Sequence, residues 1–347
     1  MKIIAEAGVN HNGSLETAKK MVDAAVEAGA DYIKFQTFHA HSLVTALCEA
    51  ADYQKENAGA TSQSGMLKNL ELTYDDFKEL KSYCDQKGIG FLSTAFDEES
   101  IDFIASLNPD YMKVPSGEIT NLPFLRKMAS TGIPVIISTG MSTPEEIAKA
   151  LRPFHKAGYT TEDIILLHCT TQYPTPMEDV NLKAMQTVAG NFGHPGGYSD
   201  HTLGIEVPIA AATLGAKVVE KHFTLDRNME GPDHKASLEP NELADMVKAM
   251  RNIMVAMGHG VKEVKESEKQ NIIAARRSIV AARPIKQGQV ISEEDITTKR
   301  PATGLSPMLW DKVIGSKATK DYAPDDLIEL EEGGWKIGMP SLGFNWK

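Results

Sequence analysis

Residues 135–151 have the sequence VIISTGMSTPEEIAKAL, in which a short apolar run precedes a helical pattern. The run starts with the β-branched residues 135–137, which are typical of a buried strand. Thr143 can cap a helix that has Pro144 at its first position and Glu146 to complete a capping box. The segment therefore predicts a strand followed by a helix, the repeating unit of a parallel α/β fold.

The same alternation continues in both directions along the chain. Amphipathic patterns separate the strand candidates, as after Ser14, where Ala18, Val22 and Ala25 form one apolar stripe that Gly29 terminates. Eight such units predict a (β/α)₈ TIM barrel of about 250 residues. The strand candidates begin at Ile3, Tyr32, Gly90, Tyr111, Val135, Ile164, Gly197 and Lys217.

The chain has 347 residues, more than one barrel requires, so a second domain is expected. Apolar residues at 278–281 and 290–291 flank a turn at Gly288, and a capped segment follows at 292–295. This pattern predicts a small β-rich domain. The predicted domains are a catalytic barrel over 1–260, a linker over 261–277, the β-rich domain over 278–338 and a tail over 339–347.

Residues 38–73 follow the second strand candidate and are too many for an ordinary connection between a strand and a helix. Connections of that length in compact domains usually carry function or secondary structure of their own. We expect this segment to form a partly helical lid.

The formal net charge is −11, and the chain has no run rich in lysine and arginine. This argues against a nucleic-acid partner, because such proteins neutralise phosphates with a broad basic surface. No apolar stretch reaches the roughly 18 residues that cross a bilayer, and no secretory segment is evident. Cys48, Cys84 and Cys169 have no CxxC spacing and are expected to be thiols in a reducing cytoplasm.

Polar side chains follow nearly every strand candidate. In a TIM barrel the active site is assembled at this end of the strands. Some serines and threonines could instead cap the following helices, but capping does not account for the whole set. The set comprises Glu6, Lys34, Gln36, Ser93, Thr94, Lys113, Ser116, Glu118, Ser138, Thr139, His168, Thr170, Ser199, Asp200, His201, Glu220 and His222.

Lys34 and Lys113, with several hydroxyls and with Gly117 and Gly140 near helix starts, indicate a local anion site. Such a site suits a phosphate ester. A buried lysine could also form a Schiff base with a carbonyl substrate, or pair with a carboxylate such as Glu6. There is no Walker A motif and no GxGxxG, so the sequence does not indicate a nucleotide.

His201 and His222 end consecutive strand candidates and could share a metal ion, with Glu118, Asp200 or Asp233 approaching directly or through water. A catalytic zinc site normally takes three protein ligands, whereas a hard divalent ion can complete its shell with water and substrate oxygens. Manganese or magnesium is therefore preferred. His11 and His234 are open between structural and substrate-contacting roles.

These residues lie in motifs through which the chain resembles the bacterial sialic acid synthase family, which includes the N-acetylneuraminate and legionaminic acid synthases. The resemblance covers nearly the whole chain. It implies a barrel followed by an antifreeze-like (SAF) domain, in a domain-swapped homodimer where that domain covers the partner's active site. The motifs are AEAGVNHNGS, IKFQTF, FLSTAF, KVPSGEITNLP, ISTGM, LLHCTTQYPTP, GYSDHTLG, VEKHFTLD, GPDHKASLEP and TTKRP.

The resemblance also implies a reaction, in which phosphoenolpyruvate, an N-acyl amino sugar and water combine with release of phosphate. It implies that phosphoenolpyruvate binds against Lys34, Thr94, Lys113, Ser116, Ser138 and Ser199, with Glu6, Gln36 and Thr171 in the same pocket. It implies a divalent ion on His201 and His222, preferably Mn²⁺ with Mg²⁺ or Co²⁺ as alternatives, and Glu118 near its water. The predicted catalytic residues are therefore Glu118, His201, His222 and Glu6. Asp233, Tyr173 and Arg300 would hold the sugar, with Arg300 supplied by the other subunit.

Several motifs are more similar to legionaminic acid synthases, whose acceptor is 2,4-diacetamido-2,4,6-trideoxymannose, than to N-acetylneuraminate synthases, which use N-acetylmannosamine. Other enzyme classes remain open. A synthase that uses a phosphorylated aldose would need a second basic phosphate pocket, and a Schiff-base aldolase would be trapped by borohydride at Lys34 or Lys113. The remaining alternative is a carbohydrate-binding barrel without catalysis, because a fold alone does not establish a function.

Overall fold

The computed structural model describes residues 1–43, 63–332 and 335–337. It divides into two units, Met1–Gly258 and His259–Lys347. Part of the predicted lid, Cys48 and the predicted tail lie outside the described residues.

Eight parallel strands of the first unit form a closed barrel, in which each strand pairs with the next and the last pairs with the first. This confirms the predicted TIM barrel, because every strand candidate overlaps one of these strands. The strands are β1 Lys2–Gly8, β2 Tyr32–Thr37, β3 Gly90–Ala95, β4 Met112–Val114, β5 Val135–Ser138, β6 Ile164–His168, β7 Gly196–Asp200 and β8 Val218–His222.

Helices alternate with these strands and bury one face each. The predicted capping box of Thr143 is present, since its hydroxyl accepts from the Glu146 backbone N–H and the Glu146 carboxylate accepts from Thr143. None of the helices within the described residues has the length and apolar character to cross a bilayer. They are α1 Leu15–Ala28, α2 Ala40–Leu43, α3 Gln63–Leu70, α4 Tyr74–Lys87, α5 Glu98–Ser106, α6 Leu122–Ala129, α7 Pro144–Lys156, α8 Ala184–Phe192, α9 Glu206–Thr213 and α10 Pro240–Ala256.

Two layers of side chains fill the barrel interior, because alternate residues of each strand point inward. One layer is apolar and consists of Ile4, Tyr32, Leu92, Ile136, Leu167 and Val218. Two residues further along, the inward positions of five strands are polar or charged, at Glu6, Lys34, Thr94, Ser138 and Glu220, and Cys169 occupies the corresponding position just after β6. The apolar layer therefore forms the floor beneath a polar layer at the carboxyl ends of the strands.

The described parts of the predicted lid are partly helical, as expected. α2 and α3 pack together with the segments that follow β1 and β2. Their buried apolar residues form a small separate core at the carboxyl ends of the strands. This core consists of Val9, Phe38, Ala40, Met66, Leu67 and Leu70, with Leu43 and Phe96 packed against it.

The second unit has its own apolar core, which includes Ile279, Ile291, Tyr322 and Ile328. β9 Ser278–Ala281 pairs in antiparallel fashion with β10 Ile296–Lys299, and β11 Leu330–Glu332 with β12 Trp335–Ile337. Residues 290–291 form no strand. Val290 instead makes an isolated bridge with Lys317. Two short helices complete the unit, α11 Lys269–Ala275 inside the predicted linker and α12 Trp310–Val313.

Gly197 of β7 is required by a close approach inside the barrel. A Cβ at this position would lie 2.4 Å from the Val218 carbonyl oxygen and 2.5 Å from a methyl group of Leu167. Gly197→Ala should therefore destabilise the fold by about 1–3 kcal/mol, as overpacking of a core does, and should lower the thermal unfolding midpoint. Gly190→Ala in α8, where a Cβ meets nothing within 4 Å, is the matched control and should stabilise by about 0.5–1 kcal/mol. Equal midpoints for both variants would contradict the argument.

Candidate active site

A cavity of about 550 Å³ lies at the carboxyl ends of the barrel strands. A larger groove of about 750 Å³ lies between α6 and α7, but no predicted site residue lines it. The cavity brings together most of the predicted site residues, although they are distant in sequence. These are Glu6, Lys34, Gln36, Thr94, Lys113, Ser116, Ser138, Thr171, Tyr173, Ser199, His201, His222 and Asp233.

The register of the barrel strands explains this convergence. Glu6 pairs with Lys34 on one side and with His222 on the other. Ser199 pairs with Glu220 across β7 and β8 in the same way. Since paired residues of neighbouring parallel strands lie side by side, Glu6, Lys34 and His222 form one set of neighbours at the carboxyl ends of the strands, and Ser199 and Glu220 form another.

Two buried lysines form the floor of the cavity. The ammonium of Lys34 lies 2.8 Å from the Glu6 carboxylate and donates a hydrogen bond of 2.9 Å to the hydroxyl of Thr94. The ammonium of Lys113 donates a hydrogen bond of 2.6 Å to the hydroxyl of Ser138.

Glu220 lies between these lysines, with carboxylate oxygens 3.7 Å from Lys34 Nζ and 3.9 Å from Lys113 Nζ. Ser199 also donates to it over 3.0 Å. The sequence placed Glu220 at a strand end without giving it a role. Its position two residues before His222, on the same inward face, was the signal that could have identified it.

The two carboxyl groups differ in ionisation. Burial raises the pKa of Glu6 to about 7, although Lys34 opposes the shift. Burial also opposes the charge of Glu220, but Lys113 and Lys34 outweigh it and lower the pKa to about 2. Near neutral pH the cluster therefore contains one ionised carboxylate and one that is partly protonated. Burial lowers the pKa of Lys113, so an anionic ligand would stabilise the ammonium form of this residue.

Gly140 allows the segment after β5 to approach the segments after β4 and β6. Its backbone N–H donates over 3.0 Å to the hydroxyl of Ser116, which lies 3.3 Å from the thiol of Cys169. A Cβ on Gly140 would lie 2.7 Å from the Thr171 methyl group and 2.8 Å from the Ser116 hydroxyl oxygen. This close packing brings a backbone N–H and a hydroxyl to the edge of the lysine cluster.

His201 and His222 face each other with ring centroids 5.4 Å apart. His201 Nδ1 lies 2.6 Å from the Thr170 carbonyl oxygen, which can only accept, so Nδ1 carries the proton and Nε2 keeps its lone pair. His222 Nδ1 is buried without a hydrogen-bond partner in the described part of the chain. Burial lowers the pKa of both rings, and His201 lowers that of His222 further. Both imidazoles are therefore in the neutral form that binds metals.

The pair fits a divalent ion that is partly solvated. No group of three or more His, Cys, Asp or Glu side chains is arranged to hold a metal within the residues described. Two imidazoles would thus supply the protein ligands, and water and substrate oxygens the others, as hard divalent ions accept. A closed structural zinc site, which needs four protein ligands, does not fit.

Tyr173 and Asp233 form another part of the cavity wall. The Tyr173 ring lies 4.2 Å from the His201 ring, centroid to centroid, and meets His222 edge-on. Asp233 is buried, and desolvation raises the pKa of its carboxyl group to about 6. These residues, with the apolar lid helices, enclose the space above the lysines.

The remaining predicted residues do not line the cavity, and these are Ser93, Glu118, Thr139, His168, Thr170, Asp200 and Arg300. Asp200, which was expected near the metal, instead pairs with the buried Lys221. Glu118 lies in a 3₁₀ turn at Ser116–Glu118, where its carboxylate accepts a hydrogen bond of 2.6 Å from Asn121. Arg300 is an exposed residue of the second unit. The catalytic role predicted for Glu118 and the sugar contact predicted for Arg300 therefore stay predictions.

Sequence reasoning missed part of the cavity wall. Cys169 and the apolar residues Met66, Leu67 and Leu70 also line it. Cys169 could have been found by alternation from Leu167, because both residues point inward. The α3 residues carried no such signal, since only the tertiary fold brings that helix back to the strand ends.

Asp233 should make stability depend on pH. Its pKa of about 6 lies above the ordinary value of 3.8, so folding favours the protonated form and stability falls as pH rises from 4 to 6, by up to about 3 kcal/mol. Asp233→Asn removes this penalty. The unfolding midpoint of the variant, relative to wild type, should therefore rise more at pH 8 than at pH 4, measured with a chelator present. An equal difference at both pH values would exclude a buried, neutral Asp233.

Two family models match the chain. The NeuB family model matches residues 21–262, and the SAF domain model matches residues 276–331. The matches thus extend over most of the barrel and over most of the second unit.

Curated relatives match almost end to end. An N,N'-diacetyllegionaminic acid synthase of Campylobacter jejuni subsp. jejuni is 50% identical, over 94% of this chain and 98% of the relative. Another from Legionella pneumophila subsp. pneumophila is 48% identical, over 92% and 91%. Among solved structures, an N-acetylneuraminic acid (sialic acid) synthetase from Leptospira borgpetersenii serovar Hardjo-bovis, in complex with citrate, matches with a TM-score of 0.67. It is 36% identical and covers 78% of this chain and 89% of its own.

Proposed function

Because the chain belongs to the NeuB family, we propose that it is a nonulosonic acid synthase with N,N'-diacetyllegionaminate as its product. It condenses phosphoenolpyruvate with an N-acyl amino sugar and water, and it releases phosphate. The observation that carries the proposal is the convergence of two buried lysines and two neutral histidines on one cavity. The lysines suit an anionic phosphate ester, and the histidines suit a divalent ion that can contact an aldehyde oxygen.

Phosphoenolpyruvate binds at the floor of the cavity in this proposal. Lys34 and Lys113 neutralise its phosphate and carboxylate, and they lie in an interior where charge interactions are strong. Thr94, Ser138 and Ser116 add hydroxyl donors at the positions where they already contact the lysines or Gly140. The ligand therefore meets donors that are fixed before it arrives, which limits the entropy lost on binding.

The acceptor sugar occupies the space above, between Tyr173, Asp233 and the lid helices. Asp233 accepts sugar hydroxyl or amide protons, and the apolar residues of α2 and α3 exclude water from the reacting atoms. Exclusion of water matters because the enol phosphate must react with the sugar carbon before water reaches it.

His201 and His222 hold the divalent ion, with Mn²⁺ preferred and Mg²⁺ or Co²⁺ as alternatives. When bound, the ion acts as a Lewis acid toward the aldehyde of the open-chain sugar. The histidine rings are prepared for this by their neutral state and by the contact of His201 Nδ1 with Thr170.

The bond changes follow from the substrates. The methylene carbon of phosphoenolpyruvate forms a bond to the aldehyde carbon as the π bond of the aldehyde breaks, and the aldehyde oxygen takes up a proton to become a hydroxyl group. The positive charge that develops at the phosphate-bearing carbon is stabilised by the ionised Glu220. Water adds to that carbon and loses a proton, for which Glu118 is the candidate acceptor. The tetrahedral adduct then loses phosphate by carbon–oxygen cleavage.

A domain-swapped homodimer is part of the proposal. Arg300 belongs to the segment that matches the SAF domain, and in this arrangement it contacts the sugar in the partner's barrel. An arginine suits this role because its guanidinium can bind a carboxylate or several hydroxyls at once.

N-acetylneuraminate synthase, with N-acetylmannosamine as acceptor, is the second candidate. A synthase that uses a phosphorylated aldose is less well supported, because the cavity contains one lysine cluster and no second basic pocket among its described lining residues. A carbohydrate-binding barrel without catalysis would not need the intact set of lysines and histidines.

His201→Ala and His222→Ala should each reduce metal-dependent phosphate release more than about 100-fold, because each removes one of two protein ligands. His155→Ala is the matched control, since His155 pairs with His194 on the outside of the barrel. Isothermal titration with Mn²⁺ should show lost binding in the two cavity variants only. Full activity in either cavity variant would exclude the proposed metal site.

The acceptor is tested by phosphate release from phosphoenolpyruvate with Mn²⁺. We expect 2,4-diacetamido-2,4,6-trideoxymannose to give a higher kcat/KM than N-acetylmannosamine, with no release in a sugar-free control. A preference for N-acetylmannosamine would favour the second candidate. Release with neither sugar would contradict the proposed reaction.

A further inference from the structure

Two loops at the carboxyl ends of neighbouring strands are joined by side-chain hydrogen bonds. The β1 loop comprises residues 9–14, and the β8 loop comprises residues 223–237. The β8 loop contributes Asp233 to the cavity, whereas Asn10, His11 and Asn12 of the β1 loop and His234 of the β8 loop are not among the residues that line it. The polar residues of the β1 loop therefore need an explanation that does not involve direct contact with a substrate.

Asn10 forms the first connection. It is almost fully buried, and its side-chain amide donates to the Phe223 carbonyl oxygen over 2.8 Å and to the Ser237 hydroxyl over 2.9 Å. The Ser237 hydroxyl in turn donates over 2.6 Å to the backbone carbonyl of Asp233. Asn10 thus holds both ends of the β8 loop and is linked through one hydroxyl to Asp233.

Asn12 forms the second connection, through contacts with one residue that precedes Asp233 in sequence and one that follows it. Its amide donates over 3.0 Å to the Glu230 carbonyl oxygen, and its side-chain oxygen lies 3.2 Å from His234 Nε2. His234 Nδ1 lies 2.7 Å from the Thr224 hydroxyl, so this histidine is fixed at both nitrogens.

We propose that Asn10 and Asn12 are positioning residues, which hold the β8 loop in the conformation that presents Asp233 to the acceptor sugar. This rests on the proposed function for the identity of the ligand. The two asparagines touch no substrate themselves, and they act on acceptor binding rather than on phosphoenolpyruvate, which binds against strand residues that the β8 loop does not carry.

The backbone at Asn12 provides a clean test. Its φ of 52° lies in the left-handed region, which glycine adopts without strain, so Asn12→Gly removes the two side-chain contacts and preserves the turn. Asn108 has a φ of 51° and an exposed side chain away from the cavity. Asn108→Gly is therefore the matched control.

The first experiment measures initial rates of phosphate release while each substrate is varied. Asn12→Gly should raise KM for the acceptor about tenfold, the cost of one poorly placed hydrogen bond, and leave KM for phosphoenolpyruvate unchanged. Asn108→Gly should change neither constant. An unchanged acceptor KM in Asn12→Gly, or an equal rise in both constants, would overturn the proposal.

The second experiment does not depend on catalysis. Amide hydrogen exchange in residues 229–236 should be faster in Asn12→Gly than in wild type, and unaltered in Asn108→Gly. Unaltered exchange in Asn12→Gly would show that the loop is held by other contacts and would overturn the proposal. If wild type releases no phosphate with any acceptor, the proposed function fails, and the exchange data still decide whether Asn12 anchors the loop.

Discussion

Lys34 and Lys113 are buried inside the barrel, at 3% and 4% exposure, where an ammonium without partners would lose several kcal/mol of hydration. Glu6 and Glu220 compensate part of that cost, and the Thr94 and Ser138 hydroxyls accept from the ammonium groups. The compensation is incomplete, because Glu6 is itself partly neutral near pH 7. An anion that enters the cavity compensates the ammonium groups for their lost hydration. The burial that destabilises the empty cluster therefore favours the binding of an anion.

Strand alternation places this cluster where it is. In five of the strands the inward residue changes from apolar to polar over two positions, as from Ile4 to Glu6 and from Val218 to Glu220. The apolar residues pack as an ordinary barrel core, and they give the lysines a rigid base. Precise placement of charge therefore depends on good packing one layer below, which explains why Gly197 must leave room for Leu167.

Much of this was predictable, because strand periodicity and helix caps act locally. The alternation of strand and helix patterns predicted the barrel. Thr143 predicted the start of a helix, and the structure has the capping box at that residue. The polar residues at the strand ends predicted most of the residues that line the cavity, since parallel strands in a closed barrel bring their carboxyl ends together. The lid residue Met66 and the central position of Glu220 were not predicted, because they depend on packing and on the sharing of charge among strands. The role proposed for Asn10 and Asn12 also required the structure, since these residues contact a loop more than 200 residues away in sequence.

The apolar layer determines how ligands enter and leave the cavity. Ile4, Leu92, Ile136 and Val218 are essentially inaccessible to solvent, so the barrel has no passage through its lower end. A molecule that reaches the lysines must enter and leave through the mouth that the loops surround. The cavity thus has a single opening, and a ligand bound at the level of the loops slows the dissociation of a ligand bound at the lysines.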